Sequence, residues 1–181
     1  MEYGKEIKKV LVCKERIAER VRELGEQISR DYEGESITLV CTLRGGCVFF
    51  ADLIRAVRGD VEIDFIAVSS YGAGTKTSGE VKMVKDLSEP IKGKNIIVVE
   101  DIIDTGVTLS YLKKLLEARE PKSLKICSLL DKPSRRKVEF EGDYIGFEIE
   151  NEYVVGYGLD FNQKMRHYPD VCVLAPEVYG G

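Results

Sequence analysis

The sequence predicts an α/β protein with a mostly parallel central sheet flanked by helices, and three observations carry that reading. Short β-branched runs such as Ser36 to Leu43 (SITLVCTL) and Asn95 to Asp101 (NIIVVED) are apolar nearly throughout, as strands covered on both faces are. Segments with apolar residues three and four apart alternate with those runs, which is the helical period. An alternating order of strands and helices implies βαβ units and parallel pairing.

Taken in order, Lys14 to Arg30 reads as an amphipathic helix, with Ile17, Val21, Leu24 and Ile28 on one face and charged residues elsewhere. Ser36 to Leu43 is a strand ended by the tight turn Arg44-Gly45-Gly46, and Cys47 to Val57 reads as helical. Val61 to Ser70 begins with strict alternation and becomes continuously apolar, as a strand does on entering a covered sheet. Tyr71 to Glu80 is rich in Gly, Thr and Ser and reads as a mobile loop, closed by a short strand over Val81 to Asp86. Asn95 to Asp101 is the clearest buried strand, Thr105 to Arg119 the clearest second helix, and Ser123 to Leu130 another strand. The tail holds shorter strands at Tyr144 to Ile149, Tyr153 to Tyr157 and Val171 to Leu174, with no helix among them. No repeat, low-complexity tract or linker interrupts the 181 residues, so one domain covers 1–181.

Composition excludes several classes of function. At 44% hydrophobic and 32% charged, the chain has the make-up of a soluble globular protein. A net charge of −4 with interspersed signs gives no basic face for nucleic acid. The start, Met1-Glu2-Tyr3-Gly4-Lys5-Glu6, has no apolar core of a signal peptide. The apolar stretch Cys47 to Val57 is broken by Asp52 and Arg55, so no membrane span is expected. Cys13, Cys41, Cys47, Cys127 and Cys172 are scattered and odd in number. They read as buried or inert thiols in a reducing, cytoplasmic compartment, not as a zinc site or disulfide framework.

The chemistry concentrates in Val98 to Leu109 (VVEDIIDTGVTL). Four apolar residues deliver Glu100 and Asp101 to a strand end, and Asp104-Thr105-Gly106-Val107-Thr108 then turns into a helix. Open α/β sheets bind ligands beyond the carboxyl ends of their strands. A helix N-terminus at that place offers unpaired N–H groups and a positive dipole end to a phosphate. Gly106 lets the backbone approach closely, and the hydroxyls of Thr105 and Thr108 add donors. Residue by residue, a helix cap and solvated strand-end charges would explain these positions. Three carboxylates in five residues beside an anion-shaped turn point instead to a phosphosugar, because carboxylates accept from ribose hydroxyls and hold Mg²⁺. No Walker motif and no strand-borne GxGxxG occurs, which argues against ATP hydrolysis and dinucleotide binding.

This segment closely resembles the phosphoribosyl pyrophosphate (PRPP) motif of the type I phosphoribosyltransferases. The order of segments from about Val40 to Leu174 is similar to that of the hypoxanthine-guanine phosphoribosyltransferase family. The resemblance implies that family's fold, with a small hood formed by terminal segments, base-binding residues mainly in 132–181, and a mobile lid at about 70–85 that begins Ser70-Tyr71. It implies transfer of the phosphoribosyl group from PRPP to hypoxanthine or guanine, with Mg²⁺ as cofactor and pyrophosphate released. Glu100 and Asp101 would meet the ribose hydroxyls directly or through Mg²⁺, Asp104 would be the general acid/base facing nitrogen 7 of the purine, and Asp104 to Thr108 would wrap the 5-phosphate. Leu43, Arg44, Gly45 and Gly46 match the pyrophosphate loop, with a cis peptide implied at Leu43–Arg44, and Arg166 matches an arginine reaching the same group. Lys132 matches the donor to the purine 6-oxo group, and Tyr153 the stacking aromatic, where Phe is commoner. The carbonyl of Val154 would accept from guanine's 2-amino group. Leu159 and Asp160 complete the purine side, with Asp160 holding a second Mg²⁺. Val107 stands where Leu or Lys is frequent, and His167 matches no functional position. Homodimers or homotetramers are the implied assemblies. Rival readings are a PRPP-responsive nucleic-acid-binding regulator and a xanthine- or pyrimidine-specific transferase.

Overall fold

The computed structural model describes residues 3–70 and 81–179. The main sheet has the order β4 (Val81–Lys85), β3 (Asp60–Ser70), β2 (Ser36–Leu43), β5 (Asn95–Ile103), β6 (Ser123–Asp131) and β7 (Tyr144–Glu148). All neighbours run parallel except β4, which returns antiparallel to β3 at one edge. Of the expected lid, Ser70 is the last residue of β3, while Tyr71 lies outside the described residues.

The continuous apolar runs have the cause read from the sequence: both faces of the sheet are covered. Ile97 and Val99 of β5 pack in one core with Ile17, Leu24 and Ile28 of α1 (Lys14–Asp31) and with Phe49 and Leu53 of α2 (Cys47–Ala56). Their neighbours Ile96 and Val98 pack in a second core with Leu109, Leu112 and Leu116 of α3 (Val107–Glu117). Alternate residues of one strand therefore serve two cores, as the period of two requires. α3 starts two residues later than its apolar pattern suggests. Gly106 sits at φ +78°, a left-handed geometry that delays the helix and leaves Thr105 and Gly106 in the turn.

The hood is a three-stranded antiparallel sheet of β1 (Ile7–Val12), β9 (Val171–Leu174) and β8 (Val154–Val155), in that order. β1 is legible only in three dimensions. Its sequence IKKVLV has no clean alternation, and it is held because Ile7 and Val10 lie opposite Leu174 and Cys172. The expectation of a helix-free tail is corrected by α4 (Pro176–Tyr179), one turn too short to show a period. Cys41, Cys127 and Cys172 are buried, and burial pushes the Cys41 thiol up to about 12. Cys13 and Cys47, in contrast, are exposed. Among the described residues no helix is long and apolar enough to cross a membrane.

The edge strand β7 is held by α1. Arg20 donates from Nε to Gly146 O at 2.9 Å and from Nη2 to Ile145 O at 2.7 Å. An unguarded edge strand is prone to fray. Arg20→Met should therefore lower unfolding stability by about 1–3 kcal/mol and speed amide exchange in β7 more than in β5. Uniform exchange across the sheet, measured by mass spectrometry, would count against this role.

Candidate active site

Three parallel strands, β2, β5 and β6, end side by side, with Cys41 opposite Val99 and Val99 opposite Cys127. The chain leaving β2 turns through Leu43–Gly46, where the Leu43–Arg44 peptide is cis as the resemblance implied. Thr42 Oγ1 donates to Val99 O at 2.8 Å and ties this turn to β5. Gly45 lies so close to the Asp101 carboxylate that a methyl group at its Cα would overlap it.

At the end of β5, the Glu100 and Asp101 carboxylates accept from the next backbone amides, Asp101 N at 3.1 Å and Ile102 N at 2.9 Å. Burial, and then the neighbouring Asp101 carboxylate, push the Glu100 carboxyl well above its ordinary range. After Asp104, the turn reaches α3 with no side-chain cap at Gly106. Among the described residues only a long 3.4 Å contact from Val107 N to Thr105 Oγ1 engages an amide there, so the first helical turn retains N–H groups for an anion.

Beside this turn opens a cavity of about 510 Å³. It gathers Asp101, Asp104, Lys132, Tyr153, Val154, Leu159 and Asp160 from four separate segments. Lys132 is 7% exposed, unusually low for a lysine at a strand end. Its Nζ donates to Glu152 O at 2.7 Å. Burial lowers its pKa below the ordinary lysine value, opposed mainly by the Asp104 carboxylate. Tyr153 is exposed, not a core strand residue, and its ring stacks on Tyr179 with centroids 5.1 Å apart and planes 26° apart.

Other expected residues flank the cavity. Glu100 and the turn Thr105 to Thr108 are not in its wall, and neither are Leu43 to Gly46 or Arg166. Arg44 and Arg166 both donate to Gln163 Oε1 at 3.0 Å, and Arg166 also pairs with Asp160 at 2.7 Å. The two arginines expected to meet pyrophosphate are thus linked to each other and to the cavity through one glutamine. The expected metal residues do not form a single centre. Glu100 and Asp101 are adjacent, whereas Asp160 is engaged by Arg166 and by Gln163 N at 2.8 Å. Among the described residues no cluster of three acidic, histidine or cysteine groups could hold an ion. Two smaller donor sets remain, and Mg²⁺ commonly takes one or two carboxylates with phosphates and water.

Sequence reading missed Arg135, Arg136, Gln163 and Tyr179. Arg135 Nε donates to Asp104 Oδ1 at 3.0 Å, and the Arg135-Arg136 doublet after Lys132-Pro133 was the available signal. Gln163 and Tyr179 sit in stretches whose sequence carries no motif. His167 packs edge-on against Tyr168 and lies away from the cavity wall.

Comparison with known proteins agrees with this geometry. Residues 11–162 match the phosphoribosyl transferase domain. The chain is 52% identical to the hypoxanthine-guanine phosphoribosyltransferase of Lactococcus lactis, over 97% of this chain and 95% of that one. It is 48% identical to the bifunctional protein TilS/HprT of Listeria monocytogenes, but spans only 27% of that protein's length. Among solved structures, a hypoxanthine-guanine phosphoribosyltransferase of Bacillus anthracis superposes with a TM-score of 0.90 at 51% identity, covering 94% of this chain and 100% of that one. A hypoxanthine phosphoribosyltransferase of Staphylococcus aureus gives 0.93 at 43% identity, covering 97% and 96%. The strand-end acids, the uncapped phosphate turn and the hooded cavity therefore have a common explanation: the chain belongs to the phosphoribosyl transferase family, among its hypoxanthine-guanine phosphoribosyltransferases.

Proposed function

We propose that this protein transfers the 5-phosphoribosyl group of PRPP to hypoxanthine or guanine, forming IMP or GMP and pyrophosphate. The observation that carries the reading is the cavity in which Asp104, Lys132 and Tyr153 meet beside the uncapped start of α3. The amides of the turn Asp104 to Thr108 hold the 5-phosphate. Glu100 and Asp101 accept hydrogen bonds from the ribose hydroxyls. The turn Leu43 to Gly46, with Arg44 and Arg166, receives the pyrophosphate, and fixed donors there stabilise charge as it departs. The donor set fits Mg²⁺, which Glu100 and Asp101 on one side and Asp160 on the other would hold, and which would neutralise the pyrophosphate when bound.

The base lies against Tyr153 while nitrogen 9 attacks the ribose carbon. Asp104 takes the proton from nitrogen 7. Its Oδ1 is engaged by Arg135, which leaves Oδ2 for that proton. Lys132 spends one of its three N–H groups on Glu152 O and has two left for the 6-oxo group. Adenine presents an amino group there, so buried donors would face each other at about 1–3 kcal/mol per unmatched group. Xanthine's 2-oxo group would oppose the Val154 carbonyl in the same way. In the same proposal the enzyme is cytoplasmic, binds no nucleic acid, and assembles as a homodimer or homotetramer.

The direct test is PRPP-dependent nucleotide formation across guanine, hypoxanthine, xanthine, adenine and uracil. Guanine and hypoxanthine should react efficiently; equal efficiency on xanthine or adenine would remove this pocket reading. Asp104→Asn should lose about 10²–10⁴ in turnover and keep its PRPP affinity by calorimetry, and unchanged turnover would refute the proton role. Lys132 has a lowered pKa, so it sheds its proton at a lower pH than an exposed lysine as pH rises. The efficiency with hypoxanthine should accordingly fall on the alkaline side, and Lys132→Met should abolish that limb. A limb that persists in Lys132→Met belongs to another group.

A further inference from the structure

The chain leaving β6 folds back onto the phosphate turn and is stitched to it. Lys132 N donates to Ile103 O at 2.9 Å, and Lys137 N to Thr105 O at 3.0 Å. Between these stitches lies Arg136, whose side chain is only 16% exposed. Its Nη1 lies 3.0 Å from Ile103 O, 2.6 Å from Asp104 O and 3.2 Å from Lys132 O. Its Nε donates to Phe140 O at 2.9 Å, and its Nη2 pairs with the Asp131 carboxylate.

Two of those carbonyls belong to residues whose side chains line the cavity, Asp104 and Lys132. Arg136 itself is absent from the wall, so it reaches the chemistry only through them. A guanidinium is a rigid plane of donors. Nη1 bonds both carbonyls, and Nε and Nη2 anchor that nitrogen on Phe140 O and Asp131, which fixes the separation of the two backbones. The separation matters because nitrogen 7 and the 6-oxo group share one edge of a purine. The carboxylate and the ammonium must reach that edge together.

We propose that Arg136 is a positioning residue, setting the spacing between the Asp104 carboxylate and the Lys132 ammonium through their backbone carbonyls. The inference rests on the phosphoribosyl transfer reading. A displacement of about 1 Å in a reacting arrangement can cost on the order of 100-fold in rate. The charge alone does not do this work. A lysine ammonium has no counterpart of the Nε and Nη2 that hold the guanidinium on Phe140 O and Asp131, so it would not lock the span.

The test compares Arg136→Met and Arg136→Lys with the unaltered protein and with Ile28→Val, a trimmed core residue in α1. Melting temperature is measured for each. Turnover is then measured at saturating PRPP and hypoxanthine, well below the lowest melting point. Both Arg136 variants should be at least tenfold slower, with no rescue by lysine, while Ile28→Val turns over normally despite its lower melting point. Turnover within twofold of the unaltered protein in either Arg136 variant would overturn the proposal. So would a rate loss that merely tracks melting temperature across all the variants. If neither Arg136 variant folds, Asp131→Asn, which keeps the arginine and removes its anionic partner, should still slow turnover, and normal turnover would count as refutation. An unaltered protein that forms no nucleotide would instead refute the enzymatic reading, and this inference with it.

Discussion

The placement of the strand-end acids and of Lys132 depends on the register of three neighbouring strands. β2, β5 and β6 run parallel, with Cys41, Val99 and Cys127 level across them. Their carboxyl ends therefore emerge together, placing Leu43–Gly46, the acids Glu100 and Asp101, and Lys132 along one rim. A slip of one residue would turn every side chain of a strand to the opposite face. Here that slip would carry Ile97 and Val99 out of one core and Ile96 and Val98 out of the other. Burial on both faces thus specifies the register, and the register in turn specifies the site. The apolar runs that make the strands legible are the same runs that aim the polar residues.

The rim gathers charge where water is scarce. Glu100 is disfavoured as an anion by burial and by Asp101, and Lys132 is disfavoured as a cation by burial. Such costs are tolerated where neighbours offset them. Asp104 is the main group that favours the Lys132 charge, and Arg135 pairs with Asp104 in turn. An alternating series of charges, Lys132, Asp104, Arg135, runs along one wall of the cavity.

Much of this was legible in the residues alone, and what escaped has a physical reason. β5 and its turn were readable because four apolar residues, two acids and a glycine are local features that need no partner. Lys132 and Tyr153 were located by resemblance, but their exposure was not readable. A lysine after a strand is usually wet, and an aromatic leading into an apolar run such as YVVGY is usually dry. Lys132 is buried because the stretch containing Glu152 folds over it, and Tyr153 is open because it faces the cavity. β1 depends on β9, which lies more than 150 residues away in the chain, and α4 is a single turn. Neither carries enough periodicity to announce itself. Arg136 was missed for a different cause. Its partners are mostly backbone carbonyls, and carbonyls leave no trace in a sequence.

The segment after β8 shows what the hood contributes. Tyr157, Asn162, Gln163 and Met165 all take positive φ without being glycine. Residues held in such regions cost about 1–3 kcal/mol each and persist only where surrounding bonds over-determine them. Those bonds are present: Tyr157 N donates to Tyr168 O at 2.7 Å, Gly158 N to Arg166 O at 3.0 Å, and Tyr157 Oη to Asp52 at 2.6 Å. The contorted path has an evident result. It presses Gly158 against the Gly45 carbonyl and brings Gln163 between Arg44 and Arg166. A relaxed strand or helix through these residues could not turn sharply enough to bring Asp160 to the cavity and Gln163 to the β2 turn within four positions. The strain is located where a terminal segment must meet the rim of the sheet; Tyr157 ties that segment to α2 through Asp52, and Gln163 ties it to the turn after β2 through Arg44.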